Sequence, residues 1–134
     1  MPIVRTPMQN KEKKLKYYAK LATDIDRSLE YYYNAARKGA ARRGIPFHLT
    51  VEDIRALWEE QQGRCALSGI EMSLVHGTIA EPNPLRISVD RIDSSIGYYK
   101  SNVQLITWQL NAAKSVWTNQ QLIETCRAVA KFNA

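Results

Sequence analysis

Residues 88–114, SVDRIDSSIGYYKSNVQLITWQLNAAK, decide how this chain is read. A strand-like apolar run within residues 85–93 carries a carboxylate, Asp90. Turn-forming residues follow in DSSIGYYKS, with Ser94, Ser95 and Gly97. Residues 103–106 form a second short strand, and a helix is expected from about Trp108 to Ser115. Asn111 and Lys114 lie one turn apart on that helix and so share a face. A strand end and a helix packed across it can bring a carboxylate and an amide oxygen together. Such oxygens, completed by water and a phosphate oxygen, suit Mg²⁺ or another hard cation. Each residue also has a plainer reading: Asp90 as a turn former, Asn111 as surface, Lys114 as a solvated charge.

Outward from this stretch, the 134 residues suggest one domain with a modest core. Apolar residues make up 45% of the chain, so disorder is excluded as its general state. No apolar run approaches the roughly 20 residues of a membrane span. The opening MPIVRTPMQNKEKK has neither the apolar segment nor the small-residue cleavage site of a signal peptide. A soluble, intracellular, cytoplasmic protein is therefore expected. Cys65 and Cys126 are far apart, and no disulfide is expected between them in a reducing compartment. Cys126 reads as a core residue of the last helix.

The net charge of +6 is unevenly placed. Residues 1–43 hold 11 Lys and Arg against 4 Asp and Glu, whereas residues 44–134 hold 8 against 9. A basic N-terminal third beside a near-neutral body suits a phosphate backbone, since each phosphate neutralised releases counterions. A solvated basic helix face would look the same.

Residues 1–9 read as a loose tail. From Asn10 to about Arg43 the composition favours one helix, with Leu15, Tyr18, Leu21, Ile25, Leu29 and Tyr32 on one face. The run Tyr31–Tyr33 is expected to turn at least one ring to solvent or a ligand. Gly44 and Pro46 end the helix. Thr50 caps a second helix, about Val51 to Gln62, which Gly63 stops. Residues 76–84 read as a loop. Thr118 caps a last helix, expected to turn Leu122, Ile123, Cys126, Val129, Ala130 and Phe132 inward. The expected organisation is 1–43 basic tail and helix, 44–75 helix and connector, 85–117 hairpin-helix core, and 118–134 C-terminal helix.

The core stretch resembles the HNH, or ββα-metal, endonuclease family. That family's pattern is Asp-His-Ile, a turn with Gly, a middle Asn, and Asn-x-x-Lys on the helix. Here those positions read Asp90-Arg91-Ile92, Gly97, Asn102 and Asn111–Lys114. The upstream QGRCALSG resembles the knuckle that precedes this core in many members, and IPFHLTVEDIRALWEEQ the helix common in short phage and restriction-type members. The resemblance covers about residues 35–117. It implies a mainly helical α+β domain built around a ββα-metal core, with Asp90 and Asn111 as ligands of Mg²⁺, Mn²⁺ or a similar divalent cation. Asn102 would brace the hairpin loop, and Lys114 would contact phosphate or hold the helix end.

Two departures from the family pattern matter. The positions of the two zinc-binding Cys-x-x-Cys pairs read Cys65-x-x-Ser68 and Thr107-x-x-Leu110. No structural zinc is expected, with apolar contacts from Trp108 and Leu110 in its place. The usual base is replaced by Arg91, whose guanidinium cannot take a proton near neutral pH but can hold a phosphate. His76 is the preferred proton acceptor. His48, Tyr98, Tyr99 and a metal-bound hydroxide are the alternatives, and Asp93 reads as a turn former.

The resemblance thus implies a metal-dependent DNA endonuclease or nickase. Its ββα unit would enter the minor groove, and Arg37, Lys38, Arg42 and Arg43 would hold the backbone. A cutter of both strands at this size would most simply be a two-fold homodimer. The competing readings are a DNA-binding module that has lost its chemistry and a structural or protein-interaction domain.

Overall fold

The computed structural model of the chain describes residue 4, residues 6–75 and residues 77–134, apart from the side chains of residues 18–22. At its centre is an antiparallel hairpin of β2 (Ile87–Arg91) and β4 (Val103–Thr107), paired Ile87↔Thr107 through Arg91↔Val103. Because side chains alternate along a strand, the two faces differ. Ile87 and Val89 share one face with Val103 and Leu105, and this face meets α2 (Ile25–Arg43) and α3 (Val51–Glu60). Ser88 and Asp90 lie on the other with Gln104 and Ile106, under α4 (Trp108–Lys114). The main apolar core therefore lies on the α2/α3 side, around Leu29, Ile54, Val89 and Leu105. The α4 side carries the polar residues. The result is a small α+β domain with the helices outside the hairpin.

A second, two-residue pairing is parallel: β1 (Phe47–His48) runs beside β3 (Tyr98–Tyr99). It draws the hairpin's connecting loop against the segment between α2 and α3. Tyr98 N–H donates to the Pro46 carbonyl at 2.8 Å. A Cβ at Gly97 would lie 2.7 Å from that same oxygen, so the turn glycine is a steric requirement. A short 3₁₀ turn, Lys100–Asn102, leads into β4.

Local chemistry explains the helix ends. Thr50 and Asp53 form a reciprocal capping box at α3, and Thr118 and Gln121 form another at α5 (Asn119–Phe132). Gly44, at φ +66°, closes α2 in the left-handed conformation.

The structure corrects several expectations. The N-terminal helix is two helices, α1 (Pro7–Ala22) and α2, because Asp24 caps the second by accepting from Arg27 N–H. Helix α1 begins inside the supposed tail. Of the expected apolar stripe, Leu29 and Tyr32 are buried, while Leu15 and Ile25 are exposed; the side chains of Tyr18 and Leu21 lie outside the described residues. No ring of the tyrosine run is fully exposed. Tyr32 donates to Leu74 O and Tyr33 to Leu49 O, both at 3.1 Å, so their polar tips are satisfied within the fold.

Helix α5 reverses its expectation. Only Leu122 is buried, while Cys126, Val129 and Phe132 are exposed, because the helix meets the domain through its first turns alone. Cys65 and Cys126 are both free thiols. No described helix is long and apolar enough to cross a membrane.

Candidate active site

The site is built by β2 and α4. Along β2, residues two apart point the same way, so Ser88 and Asp90 both face α4. Along α4, Asn111 and Lys114 are one turn apart on the facing side. Two rungs result: Asn111 Nδ2 donates to Ser88 Oγ, and Lys114 Nζ donates to Asp90 Oδ2 at 2.5 Å. Thr107 aims the helix, accepting from Leu110 N–H at its N-cap.

Lys114 is the most buried of these groups, with 1% of its side chain exposed. It also donates to the carbonyls of Arg91 at 2.9 Å and Ile92 at 3.5 Å. Of the two tasks expected of Lys114, contacting phosphate or holding the helix end, these bonds are those of the second: it ties the end of α4 to the end of β2 and pairs with Asp90.

Asp90 Oδ2 takes a second donor, Gln104 Nε2, at 2.9 Å. Among the described residues, Asp90 Oδ1 and Asn111 Oδ1 make no hydrogen bond. A carboxylate oxygen and an amide oxygen fit two positions of a hard cation, with water and a phosphate oxygen for the others. Among the described residues there is no cluster of three or more His, Cys, Asp or Glu for a metal ion.

Asn102 is buried beneath the loop. Its Nδ2 donates to the carbonyls of Asp93 and Gly97, each at 3.0 Å, and its Oδ1 accepts from Asp93 N–H at 2.9 Å. One side chain thus fixes both limbs of the turn. Asp93 accepts from Ser95 Oγ at 2.6 Å and Ser95 N–H at 2.9 Å. These bonds, the hydroxyl's first, hold its carboxyl below the usual aspartate value.

Arg91 is half-buried beside the same turn. Its Nη1 donates to Ser94 O at 2.7 Å and Ile96 O at 3.1 Å, and its guanidinium lies 5.4 Å from the Tyr98 ring centre. Nε and Nη2 make no hydrogen bond among the described residues. The Tyr98 hydroxyl accepts from Arg43 Nη2 at 2.8 Å. A buried tyrosine therefore links Arg91 to the end of α2, where Arg37, Lys38 and Arg42 are exposed. His48 is exposed on β1 and stacks on Tyr99, ring centres 4.9 Å apart. His76 lies outside the described residues.

The knuckle region is held without thiolate pairs. Gln61 Oε1 accepts from Leu105 N–H at 3.0 Å, and its Nε2 donates to Leu105 O at 2.8 Å and Arg64 O at 2.7 Å. Ala66 N–H adds a bond to the same Leu105 carbonyl. Leu110 packs on the core, while Trp108 lies under the Arg86 guanidinium, 4.5 Å from the ring centre. Cys65 is buried. Burial pushes its thiol up, but the combined hydrogen bonds from Ser68, Thr107 and Leu67 hold it below the usual value.

Gln104, Gln61, Ser88 and Asn119 did not stand out in the sequence. Alternation along β4 places Gln104 on the face of Asp90's side of the hairpin, which was a usable signal. Gln61 and Asn119 gave none.

No family profile and no curated protein matches the chain. Among solved structures it is similar to the rare-cutting HNH restriction endonuclease PacI, at 20% identity over 77% of each chain, with a TM-score of 0.59. At that identity the likeness concerns the fold, and the fold of this chain is HNH-like.

Proposed function

We propose that this chain is a divalent-metal-dependent endonuclease that hydrolyses phosphodiester bonds in DNA. The observation that carries the reading is that Asp90 on β2 and Asn111 on α4 sit in neighbouring rungs of the β2–α4 interface, each with one oxygen that makes no hydrogen bond among the described residues. The HNH-like fold shared with a DNA-cutting enzyme supports it.

Asp90 and Asn111 would hold Mg²⁺ or Mn²⁺, and Asn102 keeps the turn beside them in shape. The bound ion supplies charge stabilisation at the reacting phosphate. Arg91, whose Nε and Nη2 make no hydrogen bond among the described residues, orients a phosphate oxygen. A histidine accepts the proton of the attacking water, and His48 and His76 are the two in the chain. Arg37, Lys38, Arg42 and Arg43 grip the DNA backbone. Cutting both strands requires a two-fold dimer, whereas a monomer nicks.

Supercoiled plasmid incubated with Mg²⁺ or Mn²⁺ tests the reading. Wild type converts it to nicked or linear DNA, and Asp90→Ala and Asn111→Ala do not. Loss of the pH dependence of the rate in His48→Ala or His76→Ala identifies the proton acceptor.

A second reading, a DNA-binding module without chemistry, is favoured by the buried Lys114 already neutralising Asp90. Salt-sensitive DNA binding with no cleavage under any divalent ion would establish it in place of the first.

A further inference from the structure

We propose that Gln104 is a positioning residue for Asp90, and that α5 reaches the site through it by way of Asn119. The proposal rests on the metal-site reading above and extends it beyond the β2–α4 pair.

Gln104 faces the α4 side of the hairpin and is 8% exposed. Its Nε2 donates to Asp90 Oδ2 and to Asn119 Oδ1, each at 2.9 Å. Its Oε1 accepts from Asn119 Nδ2 at 3.3 Å. A carboxylate can only accept, so Gln104 must present its NH₂ end to Asp90. Asn119 engages both ends of the Gln104 amide and thereby resists rotation that would turn the oxygen inward. Asn119 is itself fixed. It is the first residue of α5, and the Thr118–Gln121 capping box immobilises that turn through bonds of 2.9 and 3.1 Å.

The chain of contacts runs from the α5 cap to Asn119, to Gln104 and to Asp90 Oδ2. With Lys114 on the same oxygen, Oδ2 is held by two donors, and the carboxyl group is left one direction in which to present Oδ1. This also gives α5 a task. Most of that helix is exposed, yet its first residue contacts the candidate ligand's own partner.

The test measures Mn²⁺ affinity of the DNA-free full chain at 25 °C, from the paramagnetic resonance signal of unbound ion. Wild type, Asp90→Ala, Gln104→Leu, Asn119→Ala and the Gln104→Leu/Asn119→Ala double variant are compared. Gln104→Leu should weaken binding about 10-fold, the scale on which ligand-orienting partners act. Asn119→Ala should weaken it in the wild-type background and leave it unchanged in the Gln104→Leu background, since its effect passes through Gln104. A purely structural part for Gln104 lowers the melting temperature while the folded protein keeps its affinity, and this result would overturn the proposal. So would an equal effect of Asn119→Ala in both backgrounds. If wild type binds Mn²⁺ no better than Asp90→Ala, the metal-site reading falls and takes this proposal with it. If wild type binds, Asp90→Ala does not, and Gln104→Leu matches wild type, only the proposal falls.

Discussion

Lys114 and Asp90 form an ion pair at 2.5 Å with 1% and 5% of their side chains exposed, joining the last residue of α4 to β2. Removing one partner of such a pair leaves a charge buried without compensation, at about 3–5 kcal/mol. Lys114→Met should lose that much stability in urea unfolding. Adding Asp90→Asn removes the stranded charge, so the double variant should be more stable than Lys114→Met by about 1 kcal/mol or more. Strictly additive losses would show that the two charges do not compensate one another.

Asn102 makes three hydrogen bonds from a buried position, holding Asp93 and Gly97 at the two limbs of one turn. Asn102→Ala strands the carbonyls and the N–H it served, and should cost about 3 kcal/mol. Amide hydrogen exchange at Asp93 should quicken with it. Unchanged exchange there would mean the turn stands without the side chain.

Tyr32 is buried, and burial pushes its hydroxyl well above the usual tyrosine range. Its folded pKa exceeds its unfolded value, so the unfolded state loses its proton first. Stability from this group is complete below about pH 10 and falls as pH rises beyond it. Tyr32→Phe should be less stable at pH 8 by about 1 kcal/mol, having lost the bond to Leu74 O. Its stability should also decline less steeply between pH 10 and 12. Parallel decline of the two proteins would refute the assignment.

The basic end of α2 predicts a salt-linked response. If Arg37, Lys38 and Arg42 each contact a phosphate, changing any one to Ala lowers the slope of log affinity for DNA against log salt by about 0.9. Arg43→Ala should also lower the melting temperature, because its guanidinium is bound to the Tyr98 hydroxyl. A slope unchanged in all four variants places the DNA elsewhere.

Ser115 sits between α4 and α5 at φ +49°, where glycine is at ease and serine is strained. Ser115→Gly should stabilise the chain by about 1 kcal/mol in thermal or chemical unfolding. A loss of stability would indicate that the side chain has a use not visible in its hydrogen bonds.

The hairpin-helix order was legible because strand alternation, a turn containing glycine and two polar residues one helical turn apart are local patterns. The same locality explains the caps at Thr50 and Thr118. Asp24 divided the N-terminal helix through an equally local cap, which a composition favouring one continuous helix concealed. Elsewhere reading failed where the deciding partner was distant. The apolar stripe of α5 has the spacing of a core face, but periodicity does not say whether anything packs against it.

By itself the sequence determined the β2–α4 core and the basic N-terminal third, and it proposed Asp90 and Asn111 as the oxygens for a cation there. Only tertiary structure decided what those residues touch. It set Lys114 on Asp90, brought Gln104 to the same carboxylate, and brought Asn119 from α5 to Gln104. It used all three rings of the tyrosine run in packing and clamped the thiol-poor knuckle with Gln61. The physical reason is that hydrophobic spacing is written in neighbouring residues. The partner of a buried polar group is whichever donor the fold happens to bring within about 3 Å.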